Sequence, residues 1–172
     1  MDNDSIPLEL PVIQPPVLDV CCGVRGMWFN KHDERALYLD KRNETHYLQY
    51  PSGNYTEKIE PDIVGDFTDI KQPDNSFYLV VFDPPHIEQE EPTGRICKKY
   101  GILKGEWREM LRKGFVECFR VLKPNGVLIF KWNECNIPIK EILPLAPQQP
   151  LFGHKSGKSM KTHWVCFIKA AV

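Results

Sequence analysis

Hydrophobic positions along the chain fall into short blocks separated by polar turns, and several blocks lack the strict alternation of a half-solvated strand. Val17-Leu18-Asp19-Val20-Cys21, Ala36-Leu37-Tyr38-Leu39-Asp40, Asp62 to Phe67, Phe77 to Phe82 and Val127 to Trp132 read as strands, the longer apolar ones buried on both faces as in a parallel sheet. From Glu106 to Leu122 the period changes. Trp107, Met110, Leu111, Phe115, Cys118, Phe119 and Leu122 recur at three- and four-residue spacing, which predicts a helix with one apolar stripe against the sheet. Residues 45–50 and 55–59 flank a proline and glycine turn and predict a β-hairpin between the second and third blocks. Met27-Trp28-Phe29 is a plausible first helical turn, and Ile137-Pro138 to Leu145 suits a short helix. Residues 150–154 and 162–169 predict a closing antiparallel hairpin. Residues 1–16, with Pro7, Pro11, Pro15 and Pro16, predict an extended arm. The stretch between Ile87 and Gly105 has no clear period and reads as a functional loop.

Acids stand where the blocks end. In open α/β sheets ligands bind beyond the carboxyl ends of the strands, so Asp19, Asp40, Asp66 and Asp83 are expected on one rim. After the first block comes Cys22-Gly23-Val24-Arg25-Gly26, whose glycines permit close backbone approach to a ligand. Asp40 lies about 20 positions beyond Asp19, where a ribose is held by its two hydroxyls in dinucleotide-binding folds. The fourth block runs into Asp83-Pro84-Pro85-His86. Neither proline has an amide N–H, so the Pro84 carbonyl is left without a ladder partner beside a carboxylate. Two acceptors side by side suit an exocyclic amino group, and His86 can lie against the ring that carries it. A solvated turn is the plainer alternative.

Asp83-Pro84-Pro85-His86 resembles the Asp/Asn-Pro-Pro-aromatic motif of S-adenosylmethionine (SAM)-dependent methyltransferases that modify amino groups of nucleobases, with His86 where Tyr or Phe is common. The first turn is similar to that family's Asp-x-Gly-x-Gly-x-Gly pattern at Asp19 and Gly23. Cys21 stands at its first glycine and Arg25 at its third. Helix, Leu122-Lys123-Pro124-Asn125-Gly126, strand resembles the same family's entry to its fifth strand. The resemblance implies a Rossmann-like, doubly wound, mostly parallel α/β sheet of about seven strands ending in an antiparallel hairpin. It implies SAM as cofactor, with Asp19, Cys21 and Gly23 lining it, Asp40 on its ribose, Asp66 and Phe67 at its adenine, and Asp83 close by. Asp83, Pro84 and His86 take the catalytic roles. Pro85, Asn133 and the cations Arg95, Lys98, Lys99, Lys155, Lys158 and Lys161 are the expected substrate contacts.

Composition narrows the setting. The 172 residues are most simply one domain, with roughly 70% of the unfolded surface buried on folding. No apolar run approaches the roughly 20 residues of a membrane span, and the acidic Met1-Asp2-Asn3-Asp4 lacks a signal-peptide pattern, so a cytoplasmic protein is expected. Six cysteines without a C-x-x-C pair read as reduced thiols, not metal ligands. A net charge of −1 excludes a uniformly basic coat, yet residues 94–104 and 151–163 carry lysines and an arginine with no acid. The expected activity is methyl transfer to an amino nitrogen of a nucleobase, in DNA before RNA, with sequence specificity weak or supplied by a partner. Methylation of RNA or a small amine, and non-catalytic SAM binding, are the alternatives.

Overall fold

The computed structural model describes residues 14–51, 53–88 and 94–171. Seven strands form one sheet: β1 (Val17–Asp19), β2 (Ala36–Asp40), β5 (Ile63–Val64), β6 (Phe77–Phe82), β7 (Leu122–Asn133), β8 (Phe152–Ser156) and β9 (Thr162–Ile168). Their spatial order is β5-β2-β1-β6-β7-β9-β8. The first five are parallel, and β9 inserts antiparallel between β7 and β8. This is the expected Rossmann-like sheet with its closing hairpin. Order reverses at β1, flanked by β2 and β6, so the cleft belongs beyond the carboxyl end of β1.

Both faces are buried at Tyr38 to Asp40 of β2 and Val80 to Phe82 of β6, whereas Tyr78 is exposed and β7 alternates buried with half-buried residues. Leu18, Leu39, Val80, Phe82, Leu128, Phe130 and Phe167 enter one core with Leu111, Phe115, Cys118 and Phe119 from α2 (Trp107–Val121). Phe82 makes edge-to-face contacts with Phe67 and Phe115 at 5.2 and 5.3 Å, a geometry aromatic rings favour. Gly114 lets α2 come this close: a methyl group there would stand 2.7 Å from the Phe67 ring and 2.8 Å from that of Phe82. β7 follows α2 directly at Leu122, and Lys123 to Gly126, with Asn125 at φ 62°, make a turn within its first residues.

β3 (Glu44–Tyr50) and β4 (Gly53–Ile59) form the predicted hairpin as a separate two-stranded sheet. Two expectations fail. Residues 27–29 form no helical turn; the whole of 20–35 is turns and bends. Arg25 sits at φ 53°, and its guanidinium donates to the carbonyls of Lys31 and Glu60 and to Asp62 while stacking on Tyr38. Trp28 donates to Asp19 and packs edge-on against Tyr38. Side-chain tethers thus fix this connection where a helix was expected. Conversely, the supposed loop after Ile87 contains α1 (Gly94–Tyr100), seven residues ending at Gly101, whose φ of 79° closes the helix as its N–H donates to Cys97 O. The short helix becomes α3 (Ile139–Ile142) and a 3₁₀ turn, Leu143–Leu145. Of the arm, residues 1–13 lie outside the described residues. No helix among the described residues is long and apolar enough to cross a membrane.

Candidate active site

A cavity of about 240 Å³ opens beyond the ends of β1, β2 and β6. Its walls include Cys21, Gly23 and Gly26 from the first turn, Asp40 from β2, Phe67, Asp83 after β6, and Lys99, Tyr100 and Gly101 at the end of α1. The turn approaches α1 closely: a methyl group on Gly23 would stand 3.4 Å from the Lys99 carbonyl, and Gly23 itself has φ 50°. Glycine serves both needs.

Asp19 is fully buried behind this wall and accepts from Trp28 Nε1 at 2.7 Å and Cys21 N at 3.2 Å. Burial pushes its carboxyl up to about 7, against the lowering effect of those two donors. It shapes the turn from within. Asp40 accepts Gly23 N at 2.9 Å, and Arg42 binds both its oxygens through Nε at 3.0 Å and a terminal nitrogen at 3.1 Å. Arg42 also donates to Lys98 O, so this one side chain ties the end of β2 to α1. Burial pushes the Cys21 thiol well up and that of Cys22 to about 12. Both are neutral at physiological pH and are not nucleophiles.

A second cavity, about 470 Å³, adjoins the first and shares Asp83, Tyr100 and Lys131 with it. His86, Ile87, Ile96, Asn133, Cys135 and Thr162 complete its lining. Lys131, on β7, places its ammonium 2.5 Å from Asp83 Oδ2, with the rings of Trp164 and Tyr100 5.6 and 5.9 Å away. The Asp83 side chain is 7% exposed, so the pair sits where solvent screens it little. His86 lies 6.2 Å from both Tyr100 and Trp132, ring centre to ring centre. Burial, opposed by the Asp83 charge and aided by Lys131, holds its imidazole below the usual range, so the ring is neutral near pH 7. Asn133 donates to Thr162 Oγ1, leaving its buried Oδ1 without a hydrogen-bond partner among the described residues.

The structure brings together Cys21, Gly23, Asp40, Phe67, Asp83, Pro85 and Lys99 at the first cavity and Asp83, His86 and Asn133 at the second. Asp66 stands apart. It is exposed and accepts from the backbone and hydroxyl of Thr68, forming a local turn. Lys99 faces the first cavity and does not line the second. Lys98 is half-buried on α1, Lys155 pairs with Glu134, and Lys158 and Lys161 are exposed in the turn between β8 and β9. The Arg95 side chain lies outside the described residues. Sequence reasoning missed Lys131, Arg42 and Tyr100. A lysine inside an apolar strand, Phe130-Lys131-Trp132, was the available signal for the first.

No protein-family model and no curated protein matches the sequence. Solved structures do match the fold. The PH0226 protein of Pyrococcus horikoshii has 18% identity and a TM-score of 0.56, covering 90% of this chain and 81% of its own. The 1,6-didemethyltoxoflavin-N1-methyltransferase of Burkholderia thailandensis, crystallised with 1,6-didemethyltoxoflavin and S-adenosylhomocysteine, has 10% identity and a TM-score of 0.51, covering 90% and 71%. A SAM-dependent methyltransferase of Methanosarcina mazei has 11% identity and a TM-score of 0.50, covering 95% and 99%. At these identities the shared property is the fold.

Proposed function

We propose that this protein is a SAM-dependent methyltransferase acting on an exocyclic amino nitrogen of a nucleobase, in DNA before RNA. The observation that carries the reading is the meeting of two cavities at one carboxylate, Asp83, with a cofactor-type wall on one side and an aromatic one on the other. The methyltransferase fold of the solved structures supports it, as does the complex of one of them with S-adenosylhomocysteine.

The residues of the first cavity fit the cofactor. Gly23 and Gly26 leave room along the turn, Phe67 lines the wall for adenine, and Asp40, its carboxylate held in place by Gly23 N and Arg42, stands at the ribose end. Bound there, SAM supplies an electrophilic methyl group. The chain's own part is to orient the acceptor. An aryl amine is a weak nucleophile because its lone pair is delocalised into the ring. Accepting an N–H bond of the amine at Asp83 draws the nitrogen toward a pyramidal shape and frees the lone pair; Pro84, the other acceptor expected from the sequence, is buried and lines neither cavity. Lys131 fixes one Asp83 oxygen and leaves the other to the amine. His86, neutral, and Tyr100 offer flat surfaces to the acceptor ring. Catalysis is then orientation and preorganised electrostatics, with no covalent intermediate. In a duplex the base must first be flipped out, at a cost of a few kcal/mol.

The test is transfer of radiolabelled methyl from SAM to DNA, RNA and pools of small amines. Asp83→Ala is expected to lower the rate about 10² to 10³-fold, the usual loss when a preorganised polar group is removed from a reacting centre. SAM binding without transfer to any acceptor would overturn the enzyme reading in favour of a binding protein. Transfer confined to small amines would overturn the nucleobase reading.

A further inference from the structure

We propose that Lys99 of α1 is the ligand for the carboxylate at the amino-acid end of the methyl donor, taking the place of the helix that this chain lacks after β1. The inference rests on the SAM reading above and assigns one residue within it.

The sulfonium of SAM carries three carbons, and the cavity offers each a different direction. The ribose arm belongs with Asp40, at the end of β2 beside Gly23. The methyl must face Asp83, where the two cavities meet. What remains for the third arm is the part of the cavity lined by Gly26, Met27 and Lys99. That arm ends in an ammonium and a carboxylate, so this end needs a group that favours an anion.

In many nucleotide-binding folds a helix N-terminus behind the glycine turn does this work. Here residues 20–35 are turns, so no helix dipole points at the site. Lys99 is placed to supply the charge instead. Its Cε and Nζ both lie 3.7 Å from where a Cβ on Gly26 would stand, so the side chain extends across the glycine turn. The other cations of this wall are engaged or remote. Arg42 holds Asp40, Lys131 holds Asp83, and Lys41 lines the cavity from the ribose side, next in the chain to Asp40. Among the described residues no carboxylate pairs with Lys99, whose ammonium lies 5.1 Å from the Tyr100 ring.

Calorimetric titration of the wild-type protein, Lys99→Met and Lys99→Arg with two ligands tests it. S-adenosylhomocysteine has the amino-acid arm; 5′-methylthioadenosine keeps the nucleoside and sulfur but lacks that arm. Lys99→Met is expected to bind S-adenosylhomocysteine about tenfold more weakly while 5′-methylthioadenosine affinity changes less than twofold. Lys99→Arg is expected to keep most of the wild-type affinity for both. Equal affinity of wild type and Lys99→Met for S-adenosylhomocysteine would overturn the assignment. So would an equal loss for the two ligands, since that marks a general role in holding α1. Failure of the wild-type protein to bind either ligand would instead remove the SAM reading, and this inference with it.

Discussion

Asp19 is fully buried at the end of β1, and burial displaces its carboxyl from 3.8 to about 7. An acid displaced upward destabilises the fold as pH rises. Between about pH 4, where the unfolded chain gives up this proton, and about pH 7, where the folded chain does, the folded state binds more protons and stability falls with pH. Asp19→Asn should remove that contribution. Urea unfolding at pH 4.5 and 7.5 should show the wild type losing more stability than the variant over this interval, by up to a few kcal/mol at about 1.4 kcal/mol per pH unit. A larger loss in the variant would contradict the burial argument. Of the four acids expected on the rim, Asp40 and Asp83 line the cavity and were legible because each ends an apolar block, whereas Asp19 lies behind the wall and Asp66 stands apart. Their partners were not. Arg42 is two residues from Asp40 but also reaches Lys98 O, and Lys131 meets Asp83 only because β6 and β7 run parallel in a register that sets Phe82 beside Phe130. No local pattern encodes that register.

Among the elements, α2 was read to within a residue because its stripe is long and regular, whereas α1 was missed because seven residues are too few for a period to emerge. The connection from β1 to β2 failed for the opposite reason: a helix was expected from the glycine turn, but Arg25 and Trp28 spend their donors on distant partners. Similar tethering holds residues 70–74, where Arg120 donates to the carbonyls of Ile70 and Gln72 and to Asp74 and Glu117. At Gly114 packing and propensity oppose each other. Alanine would improve an isolated helix by about 1 kcal/mol, but its methyl group collides with Phe67 and Phe82. Overpacking of this kind costs about 1–3 kcal/mol, so Gly114→Ala should be less stable in denaturant unfolding despite its better helix former. Because Phe67 also lines the first cavity, S-adenosylhomocysteine should bind that variant more weakly.

For the molecule as a whole, charge is the weakest guide to the acceptor. Of the basic residues expected at the substrate, Lys155 is engaged with Glu134, Lys99 faces the first cavity, Lys98 is half-buried on α1 and the Arg95 side chain lies outside the described residues, which leaves Lys158 and Lys161 exposed on the turn between β8 and β9. Two phosphate contacts imply that log K for duplex DNA falls with log salt at a slope of about −2. Filter binding at several salt concentrations checks it, and a flat response would favour an uncharged acceptor. The order of the sheet was legible from its resemblance, with one feature whose effect reaches into biosynthesis. Of the seven strands, β9 is made last yet lies inside the sheet, and β8 touches no other strand. A nascent chain that has released everything up to Ser156 still has a bare edge on β7, the strand that carries Lys131, and a β8 with nothing to join. Assembly of this half of the cleft therefore waits on the ribosome, and a stalled chain exposes an unpaired edge open to association with another such chain.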